Sequence, residues 1–539
     1  MRFIRFNLMP WPYLPEDFRE KYRSVWVDIP SSLYDPVRGH EVYNDYLDQL
    51  EFAETVGFDG LGVNEHHANA YGLMPSPTLM AAALARRTSR AALVVLGSSI
   101  ALYEPPIRVA EEFAMLDVLS GGRLVAGFPV GTSMDTNYAY GRVPATLRER
   151  YAEAHDLIRR AWAADEPFIF NGRFTQLRYA NCWPKPVQKP RPPIFIPGGG
   201  SVETYDFCIE NDYNYSYLSF FGYLRAQKLM ANYWQRVAEM GADDSPYRAT
   251  FAQCICVAET DAEAERLYGP HVSYFFNRCL HVYPGFADAP GYRTIKTIQA
   301  GFLNQLSRAN LGHAATLSWQ ELIELGYIVA GSPETVRQRM DELIKGLRVG
   351  NIICLFQMGD MPTEKTCHSS ELFARKVMPH LKGIWKDYDG DERFWIRPLP
   401  QRVVPARRRS GHERSLVSAR CRRRSPQDPR LRGWRWSAAR VSARRWWAGG
   451  GKSVPRRAGP ALACLRAVIA GLRRFRGWRH PARHAGDHIA LVRRDRGARA
   501  GAPLSGRPLD GRHDRRRDGG SGAARCRAAW ADRAGRTVA

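Results

Sequence analysis

Eight strand-like segments alternate with helix-like segments along residues 1–400, and this alternation constrains the fold more than any other feature. Several segments are nearly continuous apolar runs, such as 92–96 and 351–356. Runs of that kind are typical of strands buried on both faces of a parallel sheet. The strand-like segments are residues 2–8, 58–63, 92–100, 123–128, 193–197, 214–220, 249–258 and 351–357.

The intervals between these strands carry helix signals. Ser76-Pro77 and Ser332-Pro333 each place a capping residue before a proline in the first helical turn. Eight strands that alternate with helices predict an α/β fold, a (β/α)8 TIM barrel with insertions, over residues 1–395. The stretches 165–192 and 259–330 are longer than ordinary loops, and such excursions are usually lids or binding loops.

The tail, residues 396–539, has a different composition. Residues 401–539 contain 36 Arg and one Lys against eight acidic residues, a net charge of +29, whereas residues 1–400 carry a net charge of −5. Arg, Ala and Gly dominate, and nearly all the residues that are missing have AT-rich codons. We predict that this low-complexity tail is disordered or comes from GC-rich DNA translated out of frame. The alternative is an Arg-rich arm that binds nucleic acid with the help of Trp side chains.

The cysteines and the hydropathy predict a cytoplasmic protein. Seven cysteines are scattered through residues 1–400 without a C-x-x-C pair, which indicates reduced thiols. The N-terminus has no apolar signal-peptide core, and no apolar run reaches the length of about 18 residues that a membrane span needs.

The segment Asn64-Glu65-His66-His67 is the first candidate for chemistry. It follows the strand-like run 58–63, and catalytic groups of parallel α/β proteins lie where strands end. An imidazole titrates near neutrality and can exchange protons. Adjacent residues of an extended segment point to opposite sides, so we expect one histidine to face a pocket. Three interpretations remain open from the residues alone: a pair of hydrogen-bonded structural histidines, catalysis, or a metal site.

Three glycine-containing turns are further candidates. Pro197-Gly198-Gly199-Gly200-Ser201 follows the fifth strand, and its glycines and capping serine suit a phosphate cradle or an ordinary helix cap. Gly97-Ser98-Ser99-Ile100 leaves space for a planar ring or packs under a helix. Gly127-Phe128-Pro129-Val130-Gly131 has no titratable side chain and is interpreted as a shaped wall.

Taken together, these pieces resemble the bacterial luciferase-like monooxygenase family of flavin-dependent (β/α)8 enzymes, and the resemblance runs through residues 1–395. The matching motifs are Glu65-His66-His67 with Tyr71-Gly72-Leu73, Arg108-Val109-Ala110-Glu111-Glu112, Leu116-Asp117, Ser120-Gly121-Gly122-Arg123, Pro192-Pro193-Ile194 with the Gly198–Ser201 loop, Gly331-Ser332-Pro333-Glu334, 351–357 and Val377-Met378-Pro379-His380-Leu381.

The resemblance implies a monooxygenase that uses reduced FMN and O2, through a C4a-peroxyflavin, to oxidise a small organic substrate. A separate flavin reductase would supply the reduced flavin, and homodimers are common in the family. The stretch 259–330 matches a region that includes the family's mobile lid.

The resemblance also assigns roles to individual residues. It makes His66 the catalytic histidine with Glu65 beside it. The cofactor-binding residues would be Asn64, Ser99, Ile100, Gly199, Gly200 and Ser201. Of these, Ser99-Ile100 matches a non-proline cis peptide beneath the flavin, and Gly199, Gly200 and Ser201 match the phosphate loop.

The sequence departs from the luciferase pattern at two positions. Val130 stands where luciferase has a phosphate-binding Arg, and Pro129 stands where it has a Cys. Phosphate binding would therefore depend on backbone N–H groups or on Arg142, Arg148 or Arg150. Two other enzyme classes remain as alternatives: a deazaflavin-dependent dehydrogenase on the same barrel, and a metal-dependent barrel hydrolase that uses Glu65, His66 and His67.

Overall fold

The computed structural model describes residues 1–131, 133–218, 221–287, 291 and 312–400. The predictions about the tail therefore concern residues that lie, apart from 396–400, outside the described residues. No helix within the described part of the chain is both long enough and apolar enough to cross a membrane.

Eight parallel strands close into a barrel, as predicted. The strands at residues 2–6, 60–63, 92–95, 124–127, 194–198, 214–217, 249–257 and 351–355 pair in this order, and the last pairs in turn with the first. All eight predicted strands are present. The strands of the described residues are β1 (Arg2–Phe6), β2 (Gly60–Val63), β3 (Ala92–Val95), β4 (Leu124–Gly127), β5 (Phe168–Asn171), β6 (Gln176–Ala180), β7 (Ile194–Gly198), β8 (Asn214–Tyr217), β9 (Ala249–Val257), β10 (Ile328–Gly331) and β11 (Asn351–Leu355).

Helices cover the outside of the barrel. Every residue of β2, β3, β4, β9 and β11 is buried, which explains the continuous apolar runs in the sequence. Both predicted helix starts are present, at Pro77 and Pro333. The Ser332 side chain accepts a capping hydrogen bond from the Thr335 N–H, whereas the Ser76 side chain makes no capping hydrogen bond. The α-helices are Phe18–Lys21, Pro36–Val56, Pro77–Arg87, Ile107–Ser120, Met134–Ala139, Leu147–Ala163, Val202–Glu210, Tyr223–Glu239, Asp261–Tyr274, Pro284–Ala287, Trp319–Glu324, Pro333–Leu347, Thr363–Leu372 and Met378–Leu381.

Two strand features inside the long stretches were not predicted. Strands β5 and β6 form an antiparallel hairpin within residues 165–192, and β10 pairs in parallel with the second half of β9. The hairpin buries only one face, and Ile169 and Tyr179 on its other face are exposed. Strand β10 has only four residues, so its apolar run resembles a piece of helix when periodicity is the only guide.

The segment 386–399 crosses the N-terminal end of the barrel. Phe394 is buried, and the ring of Trp395 lies against Gly60. The Arg397 N–H donates to the Gln188 side chain, and the Leu399 N–H donates to the Gly121 carbonyl. The opposite end, where the strands finish, therefore remains for chemistry.

Candidate active site

Glu65 joins the loop after β2 to the loop after β3. Its side chain is fully buried and accepts three hydrogen bonds of 2.7 Å, from the Ser99 N–H, the Tyr103 hydroxyl and His67 Nε2. A buried carboxylate needs such donors because burial removes its hydration. Burial and the Glu65 carboxylate together raise the pKa of Tyr103 well above its ordinary value, so its hydroxyl stays a donor. Glu65 and His67 thus hold the loops in place.

His66 points to a different carboxylate, which the sequence analysis missed. Its Nδ1 lies 2.9 Å from Asp135 Oδ2, and the same oxygen accepts from the His67 N–H and the Asn69 side chain. Since a carboxylate accepts, His66 Nδ1 carries the proton, and Nε2 is left as the reactive nitrogen. No group among the described residues hydrogen-bonds that Nε2.

Burial opposes ionisation of Asp135, but its neighbours outweigh burial. Desolvation would raise the pKa of Asp135, whereas the His66 imidazole and hydrogen bonds from Ser133 and the His67 N–H lower it. The net pKa lies below the ordinary value of an aspartate, so the carboxylate is ionised at neutral pH. Asp135 lies on the six-residue helix after β4 and belongs to no strand-end motif, so the sequence carried no signal for it.

The glycine turn after β7 lies beside one of the three candidate arginines. Gly200 has φ +101°, a conformation that favours glycine, and Ser201 caps the helix Val202–Glu210 by accepting from the Thr204 N–H. Arg148 Nη2 lies 3.2 Å from Ser201 Oγ and 3.7 Å from Glu203 Oε2. A cation, a helix N-terminus and a glycine turn together suit a phosphate.

The other two arginines contact different groups. Arg142 donates to the Leu102 carbonyl and pairs with Glu104. Arg150 lies 3.8 Å from Glu104 and stacks over Phe174, with its guanidinium carbon 4.3 Å from the ring centre. Of the three arginines proposed from the sequence, Arg148 alone contacts the glycine turn through the described residues.

Ser99 and Ile100 are both buried at the end of β3, next to the candidate histidines. The predicted cis peptide between them is wrong. The cis bonds among the described residues are Glu104–Pro105, Trp183–Pro184 and Lys189–Pro190, all before proline. A non-proline cis bond costs about 3–4 kcal/mol, and the backbone stays trans unless its surroundings impose the other form.

Several of the buried polar atoms without a hydrogen-bond partner in the described structure lie near His66, namely Trp26 Nε1, Asn64 Oδ1 and Asp135 Oδ1. Others, such as Arg248 Nη1 and Asn351 Oδ1, lie elsewhere. Most buried polar atoms of native proteins are paired, so a group of orphans in one place points to a ligand. Together with Arg148 and the glycine turn at Ser201, these atoms near His66 suit a ligand that combines a polar ring system with a phosphate group. The predicted residues Asn64, Ser99 and Ser201 lie on the strand ends that carry these groups.

The described residues offer no set of ligands that would support the metal interpretation. His66 and His67 bind different carboxylates, Asp135 and Glu65. Across the described residues, no group of three or more His, Cys, Asp or Glu side chains could hold a metal ion.

A surface cavity of about 340 Å³ lies away from these residues. It is lined by the end of the Leu147–Ala163 helix and by Pro190 and Arg191, which precede β7. Both places belong to the N-terminal end of the barrel. The chemistry-bearing side chains lie at the other end.

Comparisons with known proteins agree with the barrel fold. The model of a family described as luciferase-like monooxygenase matches residues 26–349. The oxygenase component of a flavin-dependent trigonelline monooxygenase from Acinetobacter baylyi is 30% identical over 179 residues, which cover 32% of this chain and 48% of that protein. Limonene 1,2-monooxygenase from Rhodococcus erythropolis is 27% identical over 351 residues, which cover 62% of this chain and 81% of that protein.

Two further similarities concern the cofactor. An F420-dependent glucose-6-phosphate dehydrogenase from Amycolatopsis mediterranei is 30% identical over 168 residues, which cover 29% of this chain and 48% of that protein. The solved oxygenating constituent of 3,6-diketocamphane monooxygenase from Pseudomonas putida, in complex with FMN, has a TM-score of 0.50 at 19% identity. The match covers 63% of this chain and 93% of that one, and it supports the fold.

Proposed function

The chain belongs to the luciferase-like monooxygenase family, and we propose that it uses reduced FMN and O2 to oxidise a small organic substrate. The class of enzyme predicted from the sequence is thus confirmed at the level of the family. The observation that carries the proposal is the arrangement at the C-terminal end of the barrel. Asp135 fixes His66 Nδ1 there, and Arg148 meets the glycine turn at Ser201.

His66 is the proton-exchanging group of the proposed reaction. Asp135 holds Nδ1–H, so Nε2 can accept a proton from, or return one to, an oxygen that reacts beside it. The Glu65 carboxylate binds both the loop that carries Ser99 and the loop that carries His67, so Glu65 is a positioning residue. When bound, the reduced flavin supplies the two electrons that activate O2.

Binding of the cofactor phosphate is assigned to the turn after β7. The N–H groups of Gly199, Gly200 and Ser201 and the Ser201 hydroxyl would donate to phosphate oxygens, with Arg148 as the counter-charge. Asn64, Ser99 and Ile100 would surround the ring system. Arg148 thereby takes the phosphate-binding role that Val130 cannot perform.

Two partners belong to the proposal. A reductase is supported by the relative named as an oxygenase component. A homodimer is supported by exposed apolar side chains on two neighbouring helices, Leu79 on Pro77–Arg87 and Met115, Val118 and Leu119 on Ile107–Ser120. Light scattering on the purified chain would give about twice the mass of the 61.1 kDa chain for a dimer. A monomer at micromolar concentration would contradict it.

A deazaflavin-dependent dehydrogenase is the second candidate, favoured by the F420-dependent relative. The full chain is titrated with oxidised FMN, reduced FMN and F420 under nitrogen, and then assayed with a panel of small organic molecules in air and under nitrogen. We expect reduced FMN to bind and products to form only in air. Binding of F420 alone, with turnover under nitrogen, would replace the oxygenase proposal by the dehydrogenase.

A further inference from the structure

Trp26 carries a buried hydrogen-bond donor that the proposed chemistry does not use. The residue is 8% exposed, and its indole N–H is buried with no acceptor in the described part of the chain. A buried donor without an acceptor forfeits the free energy of its hydration. Such a group is retained without cost when a ligand supplies the acceptor.

The indole lies beside the candidate catalytic histidine. The ring centres of Trp26 and His66 are 6.1 Å apart, and the ring of Tyr71 lies 5.6 Å from Trp26 and 4.6 Å from His66. The segment is fixed on both sides, because the Val25 N–H donates to the His281 carbonyl and the Val25 carbonyl accepts from the Ala70 N–H. Trp26 is therefore held at a set position next to the reacting nitrogen.

Trp26 and the phosphate-binding turn at Ser201 follow different strands of the barrel. In the barrel the strands follow the order β1, β2, β3, β4, β7. Trp26 is in the loop after β1, His66 follows β2, and the glycine turn with Ser201 follows β7. A flavin whose phosphate lies at β7 reaches His66 from that side, so the Trp26 side is left for the substrate.

The surroundings of Trp26 are apolar, and the charge close to His66 is negative. Val25, Tyr71, Leu73 and Met74 are buried in the same two loops. Asp135, ionised behind His66, disfavours a carboxylate or a phosphate at this position. A neutral oxygen acceptor on an apolar skeleton fits both conditions.

We propose that the Trp26 indole N–H donates a hydrogen bond to a substrate oxygen, so that the enzyme takes small, largely apolar molecules with a carbonyl-type oxygen. This inference rests on the proposed function and adds the substrate class to it. The hydrogen bond orients the substrate carbonyl beside His66 Nε2. The skeleton packs against Tyr71 and its apolar neighbours.

The test compares two ketones with hydrocarbons of the same shape. Cyclohexanone is paired with methylenecyclohexane, and 2-norbornanone with 2-methylenenorbornane, because each exchange removes only the acceptor oxygen. Calorimetry measures their dissociation constants on the full-length protein with FMN present, for the wild type, W26F and W11F. Trp11 is the matched control, since its indole N–H is also buried without a partner in the part of the chain that the structure describes, but its ring contacts Tyr13 and Tyr34.

We expect the wild type and W11F to show the same ratio of ketone to hydrocarbon affinity, and W26F to lower this ratio roughly tenfold. The comparison between variants cancels the difference in hydration between a ketone and its hydrocarbon partner. An unchanged ratio in W26F, or no binding of either ketone, would overturn the inference. A loss of FMN affinity in W26F with an unchanged ratio would place the N–H on the cofactor instead. Binding of reduced FMN by the wild type under nitrogen, measured in parallel, separates the two proposals, because its absence would defeat the proposed function.

Discussion

The two ends of the barrel treat their polar groups differently. At the N-terminal end, Arg248 pairs with Asp212 and Asp243, and Arg393 pairs with Asp243 and Asp391. At the C-terminal end, Trp26 Nε1 and Asn64 Oδ1 are buried near His66 without a partner among the described residues. Such atoms also occur at the N-terminal end, as Arg248 Nη1 and Asn351 Oδ1. The difference is that ion pairs close and stabilise the first end, whereas the unpartnered atoms of the second end lie beside a candidate catalytic side chain. Even adjacent residues of one loop differ in their hydrogen-bond partners. His67 contacts the Glu65 carboxylate, whereas His66 contacts the Asp135 carboxylate.

Replacing His66 should give the largest effect on function. In His66→Ala the proton-exchanging group is gone, and we expect product formation to fall about 10²–10⁴-fold while reduced FMN still binds. The measurement is product per FMN oxidised. His380→Ala, an exposed histidine of the Met378–Leu381 helix, is the control. Wild-type turnover in His66→Ala would remove this imidazole from the reaction.

Removing Phe394 should give the largest effect on stability. Its ring is 1% exposed in the segment that covers the N-terminal end, so Phe394→Ala is expected to cost about 3–5 kcal/mol of unfolding free energy. Urea denaturation measures the loss. Because this end carries no chemistry, the activity of the molecules that remain folded should match the wild type. A loss of activity per folded molecule would mean that the two ends are coupled.

The phosphate cradle predicts a smaller effect, on cofactor binding. Arg148→Met should weaken FMN binding about 10–100-fold by removing a charge-assisted contact, with little change for riboflavin, which lacks the phosphate. Arg150→Met is the matched control, since Arg150 contacts Glu104 and Phe174. An equal loss for FMN and riboflavin would show that Arg148 does not act through the phosphate.

The smallest effect concerns acid stability at the N-terminal end. Hydrogen bonds from Arg393, opposed by desolvation and helped by Arg248, hold the pKa of Asp243 well below its ordinary value. A lowered carboxylate pKa adds stability above about pH 4, and this stability is lost as pH falls towards the folded pKa. Asp243→Asn should therefore lower the Tm by about 1–2 °C at pH 7 and less at pH 3. A uniform Tm shift across this range would contradict the ion-pair explanation.

Much of the fold was predictable because burial and helix capping each require particular residue types within a short stretch of sequence. Strands such as β3 and β11 are buried on both faces and must be apolar throughout, and cap residues such as Ser332 identify helix starts. The position of His66 was predictable for a similar reason, since it directly follows a strand. The hairpin of β5 and β6 was not predicted, because its outer face is exposed and its pattern is weak.

The sequence by itself determined the barrel and the strand ends that carry Glu65, His66 and the glycine turn. The tertiary structure decided which side chains meet there: Asp135 with His66, Arg148 rather than Arg142 or Arg150 with Ser201, and Trp26 with no acceptor among the described residues. It also decided against a cis bond at Ser99–Ile100. The physical reason is the distance along the chain over which each kind of interaction acts. Periodicity and capping act between residues a few positions apart, whereas His66 and Asp135 are 69 positions apart and meet only once the barrel has closed.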